Sequence, residues 1–303
     1  ASSATTPSAT GTNAVAIGNN SVSSGTDSMA IGTSTVAAST RAVVLGGSSQ
    51  AYGINSVTLG FAATVQSGGT DSSALGTRSQ IGSNATGATA IAKSYASGAG
   101  SFAAAITNNG SSYGATGANS IAIGQLVKAT GSGSAAIGAN AQSSGSNSTA
   151  LGRSNASGAD AFAAGGADNT TTYGAQGNFS TAIGATSTSS ASFGTAVGFQ
   201  ATSSHSAACA FGTAATTTAQ FQVAVGGTNY PVKISGTYTM PTADGTAGQV
   251  MTTDGSGAVT FATAGGGGGA DLYAANEVTP TAQPSATGAN AVAIGDTSVA
   301  SGD

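Results

Sequence analysis

The chain has no tryptophan, one cysteine and one histidine among 303 residues, and only 5% of its residues are charged. Each shortage excludes something. A lone Cys209 cannot close an intramolecular disulfide. With His205 as the only imidazole, a His-based metal cluster lacks members and a Ser/His/Asp triad has a single base to draw on. Six Lys and Arg, scattered singly, make no basic stripe for nucleic acid. A net charge of -4 is too small for a solvating acidic tail. No apolar run approaches the roughly 20 residues that a membrane span requires, so no direct membrane insertion is expected of this piece. Glycine is abundant, at 48 residues, but lacks the strict every-third-residue period of collagen.

What the chain does have is repetition. The strings "AVAIG" ending at Gly18, "SMAIG" at Gly32, "AVVLG" at Gly46 and "SVTLG" at Gly60 recur down to "VAVG" at Gly226. Numbered by the residue before the glycine, the anchors are 17, 31, 45, 59, 75, 91, 104, 123, 137, 151, 164, 183, 197, 211 and 225. Eight of the fourteen steps are 14 residues, and the others are 13, 16 or 19. Within each motif apolar residues alternate, which is the period of a strand. The Gly, Ser, Asn and Thr between motifs break helices. The reading is an all-β parallel β-roll, or β-solenoid, of ~14-residue coils, each made of a strand, a turn, a second short strand and a turn. Coils stacked about 4.8 Å apart would make a rod roughly 70 Å long.

Two longer periods overlie the coil. Residues 91–151 match 151–211 at an offset of 60, and both 19-residue steps fall at the same place in that unit. They carry "ITNNGSSYGATG" and "GADNTTTYGAQG", which read as loops on one side of the rod. Asn108, Asn109, Tyr113, Asp168, Asn169 and Tyr173 are therefore the candidate exposed binding residues. Residues 7–26 match 284–303 in 15 of 20 positions, so the roll is expected to restart and the chain to represent slightly more than one unit of a longer array. The domain reading is a β-roll over 1–226, a small β module over 227–264, a Gly-rich linker and connector over 265–283, and the start of the next roll over 284–303. In the module, Asp254-Gly255-Ser256-Gly257 between two alternating runs signals a hairpin.

The alternation places Val15, Ile17, Ile31, Leu45, Leu59, Leu75, Ile121, Ile123, Ile137, Leu151, Ile183 and Val197 as the expected core of the roll. On that reading Ile123→Asp destabilises the rod, whereas Ser120, taken as a turn residue, tolerates Asp. Coils this thin leave small apolar surface uncovered, so side-by-side association of several rods is expected. His205 and Cys209 stand four apart. Cys209 occupies the slot of Val15, and the preferred reading is a buried structural cysteine beside a turn histidine. A chance ion near Asp168 or Asp254 is the only metal chemistry considered, and no catalytic residue, cofactor or metal site is assigned.

"NAVAIGNNSVSSG", "GSAAIGANAQSSGSNSTALG" and "STAIGATSTSSASFGTAVG" resemble the head repeats of trimeric autotransporter adhesins, the YadA-like head family, over roughly 10–226 and 284–303. The resemblance implies a left-handed parallel β-roll, a homotrimer, and a place on a bacterial surface fibre that attaches to host cells or matrix. It also implies that the motif's Val and Ile point into the roll. "YTMPTADGTAGQVMTTDGSGAVTFAT", within 230–262 and one residue beyond, is similar to short β modules of phage tail fibres. The functional expectation is a non-enzymatic extracellular adhesin unit at the cell surface. A phage tail-fibre segment on a virion, binding a host receptor, is the alternative. An ice-binding solenoid is the remote one.

Overall fold

The computed structural model describes residues 6–105, 112–165, 172–227, 230, 232–234, 238–241, 243–263, 285–287, 291–293 and 299–301. The chain divides into two compact units, 1–231 and 232–303.

The first unit is a parallel β-solenoid. Its coils build two sheets, one of 15 strands mostly three residues long and one of 14 two-residue strands. The longer strands are the motif itself, such as Val15–Ile17, Met29–Ile31 and Val43–Leu45. The shorter ones, such as Val22–Ser23 and Val36–Ala37, lie half a coil further on. Pairing follows the anchor series without a slip. Ile17 pairs with Ile31, Leu59 with Leu75, and the 19-residue step is taken up as Ala104 pairing with Ile123. The strands tolerate steps of different length because only their register against the neighbouring coil is held by ladder hydrogen bonds.

Corners are set by backbone chirality. A left-handed residue recurs every seven positions: Asn13, Asn20, Asp27, Ser34, Arg41, Ser48, Asn55 and Ala62, all at φ between 54° and 57° except Arg41 at 52°. Each 14-residue coil is thus two half-coils with one such corner apiece. Asn and Asp, which adopt this region most readily after glycine, fill many of them. The motif glycine is a separate requirement. Gly32 sits at φ +135°, and a Cβ there would meet the carbonyl oxygen of Gly46 at 2.4 Å. No other residue both adopts that backbone and lets the next coil approach so closely.

The interior is narrow and made of small groups. The middle residue of each long strand points inward, as Ala30, Val44, Ala74, Ala90, Ala122, Ala136 and Ala150 do, all buried. They meet the second residue of each short strand, such as Ala37, Ala51, Val65, Ile81 and Ala129. Buried serines complete the core. Ser28, Ser56, Ser101, Ser120 and Ser148 each donate a hydroxyl hydrogen bond to the carbonyl three residues back, at 2.6–2.7 Å. Each such bond meets the polar demand that burial creates.

This corrects the expected core. Val15, Ile17, Leu45, Leu59, Ile121, Ile123, Ile137, Leu151 and Ile183 are exposed on the outer face of the long-strand sheet, from 36% to 54%, and Ile31, Leu75 and Val197 are half-buried there. The alternation was read in the right period and the wrong phase. Most coils leave room between the two walls for little more than a methyl group, with Val44, Val65 and Ile81 as the larger exceptions, so the small residue of apolar-Ala-apolar turns inward. Ser120 is likewise core rather than tolerant turn surface: it is fully buried and bonded to Gly117.

In the second unit, Lys233–Ile234 pairs antiparallel with Tyr238–Thr239, and Gln249–Thr253 with Val259–Thr263. Asp254 closes the latter hairpin by accepting from the amides of Ser256 at 2.7 Å and Ala258 at 3.0 Å. Ser285–Ala286 pairs parallel with Val299–Ala300, in the same way as Ser8–Ala9 pairs with Val22–Ser23, 277 residues earlier.

Candidate interaction surface

The outward residues of the long strands form two adjacent columns that run the length of the roll. One carries Val15, Met29, Val43, Val57, Phe102, Ile121 and Val223; the other carries Ile17, Ile31, Leu45, Leu59, Leu75, Ile91, Ile123, Ile137, Leu151, Ile183, Val197, Phe211 and Val225. More than a dozen of these large apolar side chains are exposed. The second column is apolar in every coil, whereas the first is interrupted by Ser73, Thr89, Thr149, Thr181 and Thr195; the unbroken second column marks an interaction surface. The outer face of the short-strand sheet is chemically different. After Val22 and Val36 it carries Gln50, Thr64, Gln80, Tyr95, Lys128, Gln142, Thr188 and Thr202. The molecule therefore has one face suited to burial and one suited to water.

Two corners flank the wall. The leading corner lies two residues before each long strand and carries the left-handed residues Asn13, Asp27, Arg41, Asn55, Asp71, Asn119, Asn147, Asp160, Phe179, Phe193, Ala207 and Phe221. Side chains there form a ladder from coil to coil. Asn13 donates to Asp27 at 2.9 Å, Asn55 to Asp71 at 2.7 Å and Asn147 to Asp160 at 3.2 Å. Further along, Phe179 and Phe193 stack with centroids 5.0 Å apart and planes within 4°. The trailing corner, just past the motif glycine, carries Phe61, Arg78, Lys93, Arg153 and Phe199.

The loop candidates are only partly placed. Asn108, Asn109, Asp168 and Asn169 lie outside the described residues. Tyr113 is half-buried, with the Lys128 ammonium 5.1 Å from its ring centroid, a cation–π distance. Tyr173, its equivalent one superrepeat later, lines a small cavity with Asn155, Ala163, Gly174 and Ala182. Cys209 is not a core residue: it is half-buried on the outer face, between Thr195 and Val223 in the ladder. His205 sits in a corner, its Nδ1 3.2 Å from the Ser204 hydroxyl and 3.4 Å from that of Thr217. Asp254 is occupied by its own turn. Among the described residues, no three His, Cys, Asp or Glu side chains are grouped to hold a metal ion.

Sequence reasoning found the columns and missed what they face. The signal was present: the central motif residue is alanine in most copies, and a position restricted to the smallest apolar side chain is the tightest one.

The model of the YadA head domain repeat matches the chain at residues 9–35, 115–126, 129–155, 175–201 and 286–303. No match was found among curated proteins. These stretches are thus similar to the YadA head domain repeat, and those within 9–201 lie in the β-solenoid.

Proposed function

We propose that this chain is a non-enzymatic unit of a homotrimeric surface fibre, in which three rolls pack their apolar walls around a common axis and present the polar short-strand sheets outward. The observation that carries the reading is the column of outward apolar residues from Ile17 to Val225, one on each of fifteen strands. Burying a half-exposed Ile or Leu contributes about 1–2 kcal/mol at ~25 cal/mol per Å². Summed over the wall, that exceeds the roughly 4–15 kcal/mol cost of association. YadA-like heads form homotrimers in general and stand on the cell surface, and both properties support the same arrangement here. The fibre's role is attachment to host cells or matrix. The two inserted loops, with Asn108, Asn109 and Tyr113 in one and Asp168, Asn169 and Tyr173 in the other, are its contact sites.

Sedimentation equilibrium on the full chain tests the stoichiometry. The expected mass is three times 28.0 kDa. A combined Ile123→Asp and Ile137→Asp variant should lose the trimer yet keep its β circular dichroism, because both side chains lie on the outer face. A wild-type monomer, or a double variant that remains trimeric, overturns the packing.

A further inference from the structure

The outer wall changes its pattern in two coils. Its second column holds Ile, Leu, Val or Phe in every coil except two, where it holds Ala104 and Ala164. In those same two coils the first column holds Phe102 and Phe162, whereas elsewhere it holds nothing larger than Met29 or Ile121 and falls as low as Ser73. A ring is thus gained in one column where a large side chain is lost in the other, on a single strand. The exchange recurs at the offset of 60, since Phe102 and Ala104 map onto Phe162 and Ala164. All four residues are half-buried on the outer face. The interior does not call for the exchange, because Ala103 and Ala163 face inward as the middle residues of other long strands do.

Elsewhere the second column distinguishes poorly between heights. Ile17, Ile31, Leu45 and Leu59 follow one another in it, and Ile123, Ile137 and Leu151 do so further along. A neighbouring wall shifted by one coil would meet nearly the same side chains there. A constant shift between neighbours does not close a ring, and it continues instead as an open helical assembly. A closed trimer of such rolls therefore needs a feature that fixes height.

We infer that the Phe102 and Phe162 rings of one chain seat over Ala104 and Ala164 of the next, and that these two contacts fix the axial register of the trimer. The inference rests on the trimer reading. In a cyclic trimer every long strand runs the same way around the axis, so the second column of one wall adjoins the first column of the next. Phe102 and Ala104 lie on one strand and so at one height. Symmetry then sets the ring of one chain level with the alanine of its neighbour. The two seats are four coils apart, about 19 Å. A shift by one coil drives Phe102 against the second-column residue of an adjacent coil, Ile91 or Ile123, and overpacks that site. A shift by four coils seats one ring and leaves the other against Val225 or Leu45. Only zero shift seats both.

Co-expression of two full-length variants with different tags tests it. One carries Ala104→Ile and the other Phe102→Val. Both changes lie on the outer face, so β circular dichroism should match the parent. Alone, the Ala104→Ile chain should trimerise about tenfold more weakly or worse, because ring and isoleucine compete for one space. Together the two chains should form mixed trimers in excess of the random binomial share, read by native mass spectrometry. The excess arises because contacts between unlike chains pair Ile with Val or Phe with Ala. Ala164→Ile with Phe162→Val repeats the measurement at the second seat, should a variant at the first fail to fold. Random mixing beside a trimeric parent overturns the seats and leaves the trimer standing, since rings that cover their own chain's alanine create no preference between chains. A monomeric parent overturns both.

Discussion

At the residue scale, this fold is decided by what cannot be large. Ala136 is fully buried between the two sheets, and Ile137 beside it is 40% exposed. Ala136→Leu should therefore lower stability by about 1–3 kcal/mol through overpacking, read as a fall in the melting temperature. Ile137→Ala should leave a folded monomer intact and weaken association instead. Ser120 gives a second contrast. Ser120→Ala loses one buried hydrogen bond, worth about 1 kcal/mol. Ser120→Asp places a carboxylate in a dry core and should leave the chain largely unfolded. Equal melting shifts for those two variants would contradict the inward assignment of the serine column.

At the element scale, the coil is the unit and the half-coil is not. A solenoid's stability is close to a sum over repeats and their interfaces. Removing Gln125 to Gly138, one whole coil, joins "IAIG" to the following "ANAQSSG" and keeps every later column on its face. That variant should fold, trimerise and melt near the parent temperature. Removing Gln125 to Gly131 alone shifts the corner pattern by one half-coil. The isoleucine columns beyond the deletion then fall on the opposite sheet, and the wall is cut in two. Circular dichroism and mass should show a destabilised, non-trimeric product. An undisturbed trimer from the half-coil deletion would mean that the two faces are interchangeable. The outer residues argue otherwise: Ile and Leu on one face, Gln and Thr on the other.

At the scale of the whole molecule, assembly follows from an apolar surface in a chain with few charges. Wall burial carries no net charge, so salt screening removes little of it. The trimer should persist at 1 M sodium chloride and weaken in urea, which solvates apolar groups. Dissociation by salt alone, followed by sedimentation, would shift the weight from the apolar wall to charged groups.

Much of this architecture was legible in one dimension. Glycine after most motifs, Asn and Asp at many seven-residue corners, and the anchor series from Ile17 to Val225 determine strand, turn and register, because parallel coils must align repeat upon repeat. The hairpin at Asp254 to Gly257 was equally plain, since short turns are written in their own residues. Which way each strand faces was not. Period two is symmetric between inside and outside, and hydrophobicity alone assigned Ile123 to the core. The tertiary structure decided the phase, because two sheets this close leave space for Ala122 and none for Ile123. It also brought Phe179 onto Phe193, a contact that arises from stacking coils fourteen residues apart and that no local pattern records.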